Sequence, residues 1–265
     1  MLGAIIGDIA GSLYEFASEK RKDIELFTQG SRLTDDSMMT IAVACACTDA
    51  KLHDEKDFKT SLIWYMRTIG RQHPNAGYGG MFYRWLISAV MPAYHSFGNG
   101  AAMRVSPVAW VAESLEQAEL LAKWSAEVTH DHPEGIKGAQ AVAAAVYLAR
   151  QGKTKDEIAA HIQARYYPLD FTLDEIRPDY CFDVTAQGSV PQAIACFLES
   201  TDFEDAIRNA ISLGGDGDTQ AAMAGAIAEA FYGIPEELKR IGTEMAHATI
   251  PLYFKEALSI YRNQP

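Results

Sequence analysis

The 265-residue sequence lacks any apolar run near the ~20 residues that a membrane-spanning helix needs, so no membrane partner is expected. Its N-terminus, "MLGAIIGDIAGSLYEF", is apolar but has no basic flank and carries Asp8, and so does not read as a signal peptide. The four cysteines, Cys45, Cys47, Cys181 and Cys196, form no C-x-x-C pair, which points to a reduced, cytoplasmic protein. Basic residues are few, 23 Lys and Arg against 35 Asp and Glu. The net charge of −12 argues against a nucleic-acid backbone or an anionic membrane as main partner. An anionic small ligand would then need local positive charge, from a metal or from helix N-termini. Low-complexity segments and a domain boundary are also missing, and 48% hydrophobic with 22% charged residues is an ordinary globular composition.

Strand alternation is nearly absent, and helical periodicity dominates. Helices are expected over 2–16, 36–49, 57–71, 79–91, 115–128, 135–151, 155–163, 189–199, 203–213, 219–232 and 236–246. Thr154 with Glu157 forms a capping box, and Gly152 and Gly233 stand where helices should stop. Gly3, Gly7 and Gly11 make a stripe that lets another backbone approach closely. The stretch 164–188, rich in aromatics with two prolines, reads as an ordered surface excursion. The expectation is one all-α domain, a compact bundle over 1–265.

Two acidic runs stand out. "GGDGDT" places Asp216, Asp218 and Thr219 before a helix made mostly of alanine, and "LTDDS" places Thr34, Asp35 and Asp36 before another helix of small residues. One N-cap needs one such residue, so the repulsion between neighbouring carboxylates asks for a cation. A calcium EF-hand starting at Asp216 would need Gly and Glu where Ala221 and Ile227 stand. Hard carboxylate and hydroxyl oxygens suit magnesium or manganese, and the carboxylates must outweigh the positive helix ends. Small side chains let the two helix starts converge on one centre. His130 and His132 suggest a zinc pair, but no thiol or third histidine accompanies them.

These runs, in order with "GAIIGDIAGSLYE", "GYGG", "FGNGAAMRVSP", "THDHPEGIKGA" and "VPQAIACFL", resemble the ADP-ribosylglycohydrolase family over most of the chain. The resemblance implies a bundle of roughly a dozen helices around two Mg2+ ions, with Mn2+ as a substitute. It implies hydrolysis at C1″ of the distal ribose of ADP-ribosylated side chains or small molecules, by a monomer for which nucleic acid is a partner only as a modified substrate. Thr34, Asp35, Asp36, Asp216, Asp218 and Thr219 match the metal-binding runs, with Asp218 bridging. Glu15 matches an acidic residue that gates the site, and Glu15 or Asp36 would accept the proton. Asp8 fits as a structural hydrogen-bonding residue. Gly79, Gly80, Ser96, Phe97, Gly98, Asn99, Gly100 and His130 match segments around the diphosphate and adenosine. Glycine there would let backbone N–H groups reach phosphate oxygens, Phe97 would face adenine, and His132 would take a surface role. His95 replaces a common glycine, Gly217 stands where relatives carry alanine or a small polar residue, and Gln220 replaces an apolar residue. Two other readings stay open: a dimetal hydrolase of another ADP-ribose derivative such as O-acetyl-ADP-ribose, and a catalytically silent ADP-ribose-binding protein.

Overall fold

The computed structural model describes residues 1–261. Among them the regular structure is entirely helical, apart from one isolated bridge between Gly98 and Thr185. The helices are α1 (Leu2–Gly11), α2 (Asp35–Asp49), α3 (Glu55–Gln72), α4 (Gly80–Ile87), α5 (Gly100–Met103), α6 (Ser106–Val111), α7 (Leu115–Glu127) and α8 (Pro133–Arg150). They continue with α9 (Lys155–Arg165), α10 (Leu173–Ile176), α11 (Ala186–Leu198), α12 (Phe203–Ile211), α13 (Gly217–Tyr232), α14 (Glu236–Thr249) and α15 (Pro251–Ala257), before a 3-10 turn at Leu258–Tyr261. No described helix is long and apolar enough to cross a membrane.

The alanine-rich helix lies at the centre. Every residue of α13 from Gly217 to Glu229 is buried, as befits a helix without a polar face. The glycine stripe of α1 lies against it, backbone on backbone. A methyl at Gly7 would fall 2.0 Å from the Ala221 carbonyl oxygen, and one at Gly11 would fall 2.4 Å from Asp218 Cα. Small side chains on α13 therefore serve first to admit α1, along with α8, α11 and α12. The convergence on α2 is confined to the helix starts, where Thr219 Oγ1 donates to Asp36 Oδ2 at 3.3 Å.

The capping box at Thr154 forms with both of its bonds, and Gly152 and Gly233 end their helices with φ of 72° and 75°. Several boundaries differ from the sequence expectation. α1 stops at Gly11, because Ser12 Oγ turns back to the Ile9 carbonyl and also receives the Arg32 N–H. Residues 12–16 become a turn that carries Glu15 toward α13. The helix expected over 79–91 ends at Ile87, where Arg71 takes the Leu86 carbonyl. α5, α6 and α10 span four to six residues, below the length at which periodicity is readable.

The 164–188 excursion is ordered by a second capping box, Thr172 with Glu175, and by Tyr180. The Tyr180 hydroxyl donates to the Gly188 carbonyl at 2.6 Å and accepts from Gln220 Nε2 at 2.8 Å. Gln220 is fully buried, so its departure from an apolar residue anchors the excursion over the start of α13.

Candidate metal centre and ligand cavity

The starts of α2 and α13 face one another, and the turn after α1 closes the third side. Carboxylate oxygens of Asp8, Asp36 and Asp218 lie within 4.8 Å of one another, and so do those of Glu15, Asp216 and Asp218. Asp218 belongs to both groups, which puts it between two positions of concentrated negative charge.

Asp8, inside α1 and fully buried, accepts four hydrogen bonds from the start of α2. These come from the N–H and hydroxyl of Thr34 at 2.9 and 2.6 Å, and from the N–H and hydroxyl of Ser37. Three of these bonds fall on Oδ2 and one on Oδ1, and together they brace α1 to α2. Thr34 is also the N-cap of α2, accepting from the Asp36 N–H at 3.3 Å. Asp216 receives Asn99 Nδ2 at 2.7 Å, so Asn99 aims Asp216 as well as bordering the cavity.

No described salt bridge reaches these acids, though the Arg32 charge draws Glu15 partly back down. Burial, then Asp218, pushes the Asp36 carboxyl well above the usual carboxylate range. Burial, then Asp216, does the same to Asp218. Asp35 is pushed up to about 8 by burial and by Asp8, Glu15 and Asp216, and Glu15 to about 7 by burial and Asp216. Asp36 Oδ1 is buried with no hydrogen-bond donor. A buried carboxylate oxygen with no donor costs several kcal/mol unless a cation takes it. Hard oxygen donors crowded around such an orphan fit divalent ions of the magnesium type.

The cluster opens into a cavity of about 450 Å³. Glu15, Asp35, Asp36, Asp216, Asp218 and Thr219 border it, and so do Gly79, Gly80, Ser96, Gly98, Gly100 and His130. Thr34 does not border it, since its hydroxyl is turned to Asp8. Phe97 is not on the wall either. Its half-exposed ring packs edge-on to His132 at 5.5 Å, while its carbonyl accepts the Ala186 N–H.

The expectation of free backbone donors needs correction at Gly98 and Asn99. The Gly98 N–H is held by Ser96 Oγ at 3.1 Å and the Asn99 N–H by the Val184 carbonyl at 2.8 Å, because the loop is stitched to 184–186. The amides of Gly80 and Met81, ahead of the first α4 bond from Tyr83 N to Gly79 O, stay available, and so does that of Gly100 ahead of the α5 bond from Ala102 N to Asn99 O. His132 is the N-cap of α8, accepting from the Glu134 N–H at 3.1 Å. His95 sits at φ 55°, which explains why glycine suits that position.

Sequence reasoning missed Phe16, Met81, Tyr94, Arg104 and Phe182 as cavity residues. Phe16 and Phe182 pair across the mouth with ring centroids 5.2 Å apart. Phe16 could have been found from its place beside Glu15. Phe182, in the excursion, carried no such signal.

Fold and site together define an all-helical protein with a buried acidic centre able to hold metal ions. The chain belongs to the ADP-ribosylglycohydrolase family, whose model matches residues 1–251. It is 27% identical to ADP-ribosylhydrolase ARH3 of Homo sapiens over 312 aligned positions, covering 89% of this chain and 85% of that protein. It is likewise 27% identical to ADP-ribosylarginine hydrolase Tri1 of Pseudomonas putida (strain GB-1), covering 91% of this chain and 72% of that one. A solved ADP-ribosylglycohydrolase-related protein complex shares the fold, with a TM-score of 0.63 at 22% identity over 100% of this chain and 97% of the other.

Proposed function

We propose that this protein is a magnesium-dependent ADP-ribosyl-acceptor hydrolase. It would cleave the glycosidic bond at C1″ of the distal ribose and release ADP-ribose from a modified side chain or small molecule. The observation that carries this is the donorless Asp36 Oδ1 within a cluster of buried carboxylates at the floor of a ligand-sized cavity.

Asp35, Asp36, Asp216, Asp218 and Thr219 would hold two divalent ions, with the Thr34 hydroxyl beside them. Such ions would supply Lewis acidity and a fixed orientation for the ribose hydroxyls. Cleavage at C1″ builds positive charge on the sugar, which the surrounding carboxylates favour. Water attacking that carbon must lose a proton, and two side chains could take it. Asp36 is buried with Oδ2 receiving Thr219, whereas no described donor reaches the carboxylate of half-buried Glu15. Glu15 therefore has both oxygens free for the attacking water and is the preferred proton acceptor. Asn99 keeps Asp216 aimed, and Asp8 keeps the start of α2 in place. The four cysteines are unpaired, three of them buried, which fits a reducing cytoplasm.

The test is release of free ADP-ribose from a panel of linkages: arginine, serine, nucleic-acid base and acetyl ester. Release from at least one linkage with magnesium, and none after chelation, is expected. Tight ADP-ribose binding with no turnover on any linkage would instead favour a silent binder.

A further inference from the structure

Arg104 is fully buried, has no ion-pair partner among the described residues, and borders the cavity. A guanidinium donates hydrogen bonds and never accepts them, so it dictates the roles of its neighbours. Its NH1 donates to the Gly100 carbonyl at 2.9 Å, and its NH2 to the Ser125 carbonyl at 3.2 Å and to Thr129 Oγ1 at 2.8 Å. The Thr129 hydroxyl, also fully buried, lies 2.8 Å from His130 Nδ1.

Two proton arrangements are open to this chain. In one, Thr129 accepts from Arg104 and donates to His130 Nδ1, so that the imidazole carries its proton on Nε2. In the other, His130 Nδ1–H donates to Thr129, and the hydroxyl hydrogen is left buried with no acceptor. An unsatisfied buried donor costs about 1–3 kcal/mol, whereas an Nε2–H borders the cavity, so the first arrangement prevails. A doubly protonated ring is opposed by burial and by the Arg104 charge, which hold His130 well below its ordinary value.

The ring is held from its other sides too. The His130 N–H bonds the Ala126 carbonyl at 2.7 Å, and Tyr94 packs on the ring at 5.8 Å. Nε2 lies along the glycine loop, where a methyl at Gly100 would come within 3.0 Å of it. No described group accepts from Nε2.

We infer that Arg104 and Thr129 are positioning residues that fix His130 as the Nε2–H tautomer, presenting one neutral donor to an acceptor oxygen of the bound ligand. Resting on the function proposed above, that oxygen belongs to the diphosphate of ADP-ribose. The relay gives this acidic protein a donor that stays in place, where the loop amides of Gly98 and Asn99 are already committed.

Long-range 15N–1H NMR of the full-length chain reads the His130 tautomer directly. The wild type should show Nε2–H, and an Nδ1–H ring would overturn the relay even if no variant folded. Thr129→Val keeps the shape but removes the hydroxyl. It should mix or invert the tautomer and weaken ADP-ribose binding roughly tenfold, about the loss of one hydrogen bond, while Thr129→Ser restores both. An unchanged tautomer in Thr129→Val refutes the relay, and a changed tautomer with unchanged affinity refutes the ligand contact. If the wild type fails to bind ADP-ribose, the proposed function falls along with the ligand assignment, while the tautomer measurement still decides the relay.

Discussion

Removing divalent ions should make the stability of this protein fall as pH rises, and adding them should reverse the trend. Buried Asp36 and Asp218 and cavity-facing Asp35 all hold protons in the folded chain more tightly than in the unfolded one. For Asp35 the window runs from its ordinary 3.8 up to about 8. Inside that window the folded state binds more protons, so the slope of unfolding free energy against pH is negative, ~1.4 kcal/mol per pH unit for one proton. From about pH 5 to about pH 7, one such proton amounts to about 3 kcal/mol. Solvent at the cavity mouth screens Asp35 and could halve that to about 1.5 kcal/mol. At roughly 2–4 °C per kcal/mol, Tm in chelator should fall by about 3–12 °C over that range. On the proposed function magnesium would bind only the folded chain, and at a hundred times its Kd would restore about 2.7 kcal/mol. The assay is thermal unfolding followed by circular dichroism across pH, with chelator or with excess magnesium. Asp36→Asn should raise Tm in chelator near about pH 7, because a neutral amide escapes the cost of protonating or burying that carboxylate, and should lose most of the magnesium effect. A Tm in chelator that is flat or rises with pH, or an Asp36→Asn variant less stable than wild type without metal, would refute this reasoning.

Three other outcomes follow from particular contacts. Gly7→Ala should destabilise by about 1–3 kcal/mol or more in urea unfolding, since its methyl would meet backbone at 2.0 Å and the two helices must separate. His95→Gly should hold or slightly raise the urea midpoint, because it releases a left-handed φ of 55° while the residue's N–H keeps Asp131 Oδ1 at 2.7 Å; a loss above about 1 kcal/mol would contradict the strain. Glu15→Gln should lower kcat by about 10²–10⁴ with little change in ADP-ribose affinity or metal content, and full activity would return the role of proton acceptor to Asp36.

What could be read in the sequence, and what could not, divides along the range of the interactions. The capping box at Thr154 and the helix-ending glycines are set by residues a few positions apart, and they appear as read. The glycine stripe on α1 announced a close backbone approach, but not which helix would supply it. Only the fold pairs α1 with α13 and so brings Asp8 and Glu15 to the acidic runs. The repulsion between the closely spaced aspartates in "LTDDS" and "GGDGDT" pointed to a cation, because that cost is local. Whether a donor is free depends on its partners across the fold. The amides of Gly98 and Asn99 looked available, but Ser96 Oγ takes the first and the Val184 carbonyl of the excursion takes the second. The same excursion brings Phe182 to the cavity mouth, and Gln220 anchors it through Tyr180. Arg104, two residues past the end of "GNGAA", carried no signal of its own in the sequence. Its influence on His130 passes through Thr129, and no periodicity connects those three residues. Charge crowding can therefore be detected in one dimension. The direction in which a donor points is a property of the assembled fold, and in this cavity that direction decides how an acidic protein can hold an anionic ligand.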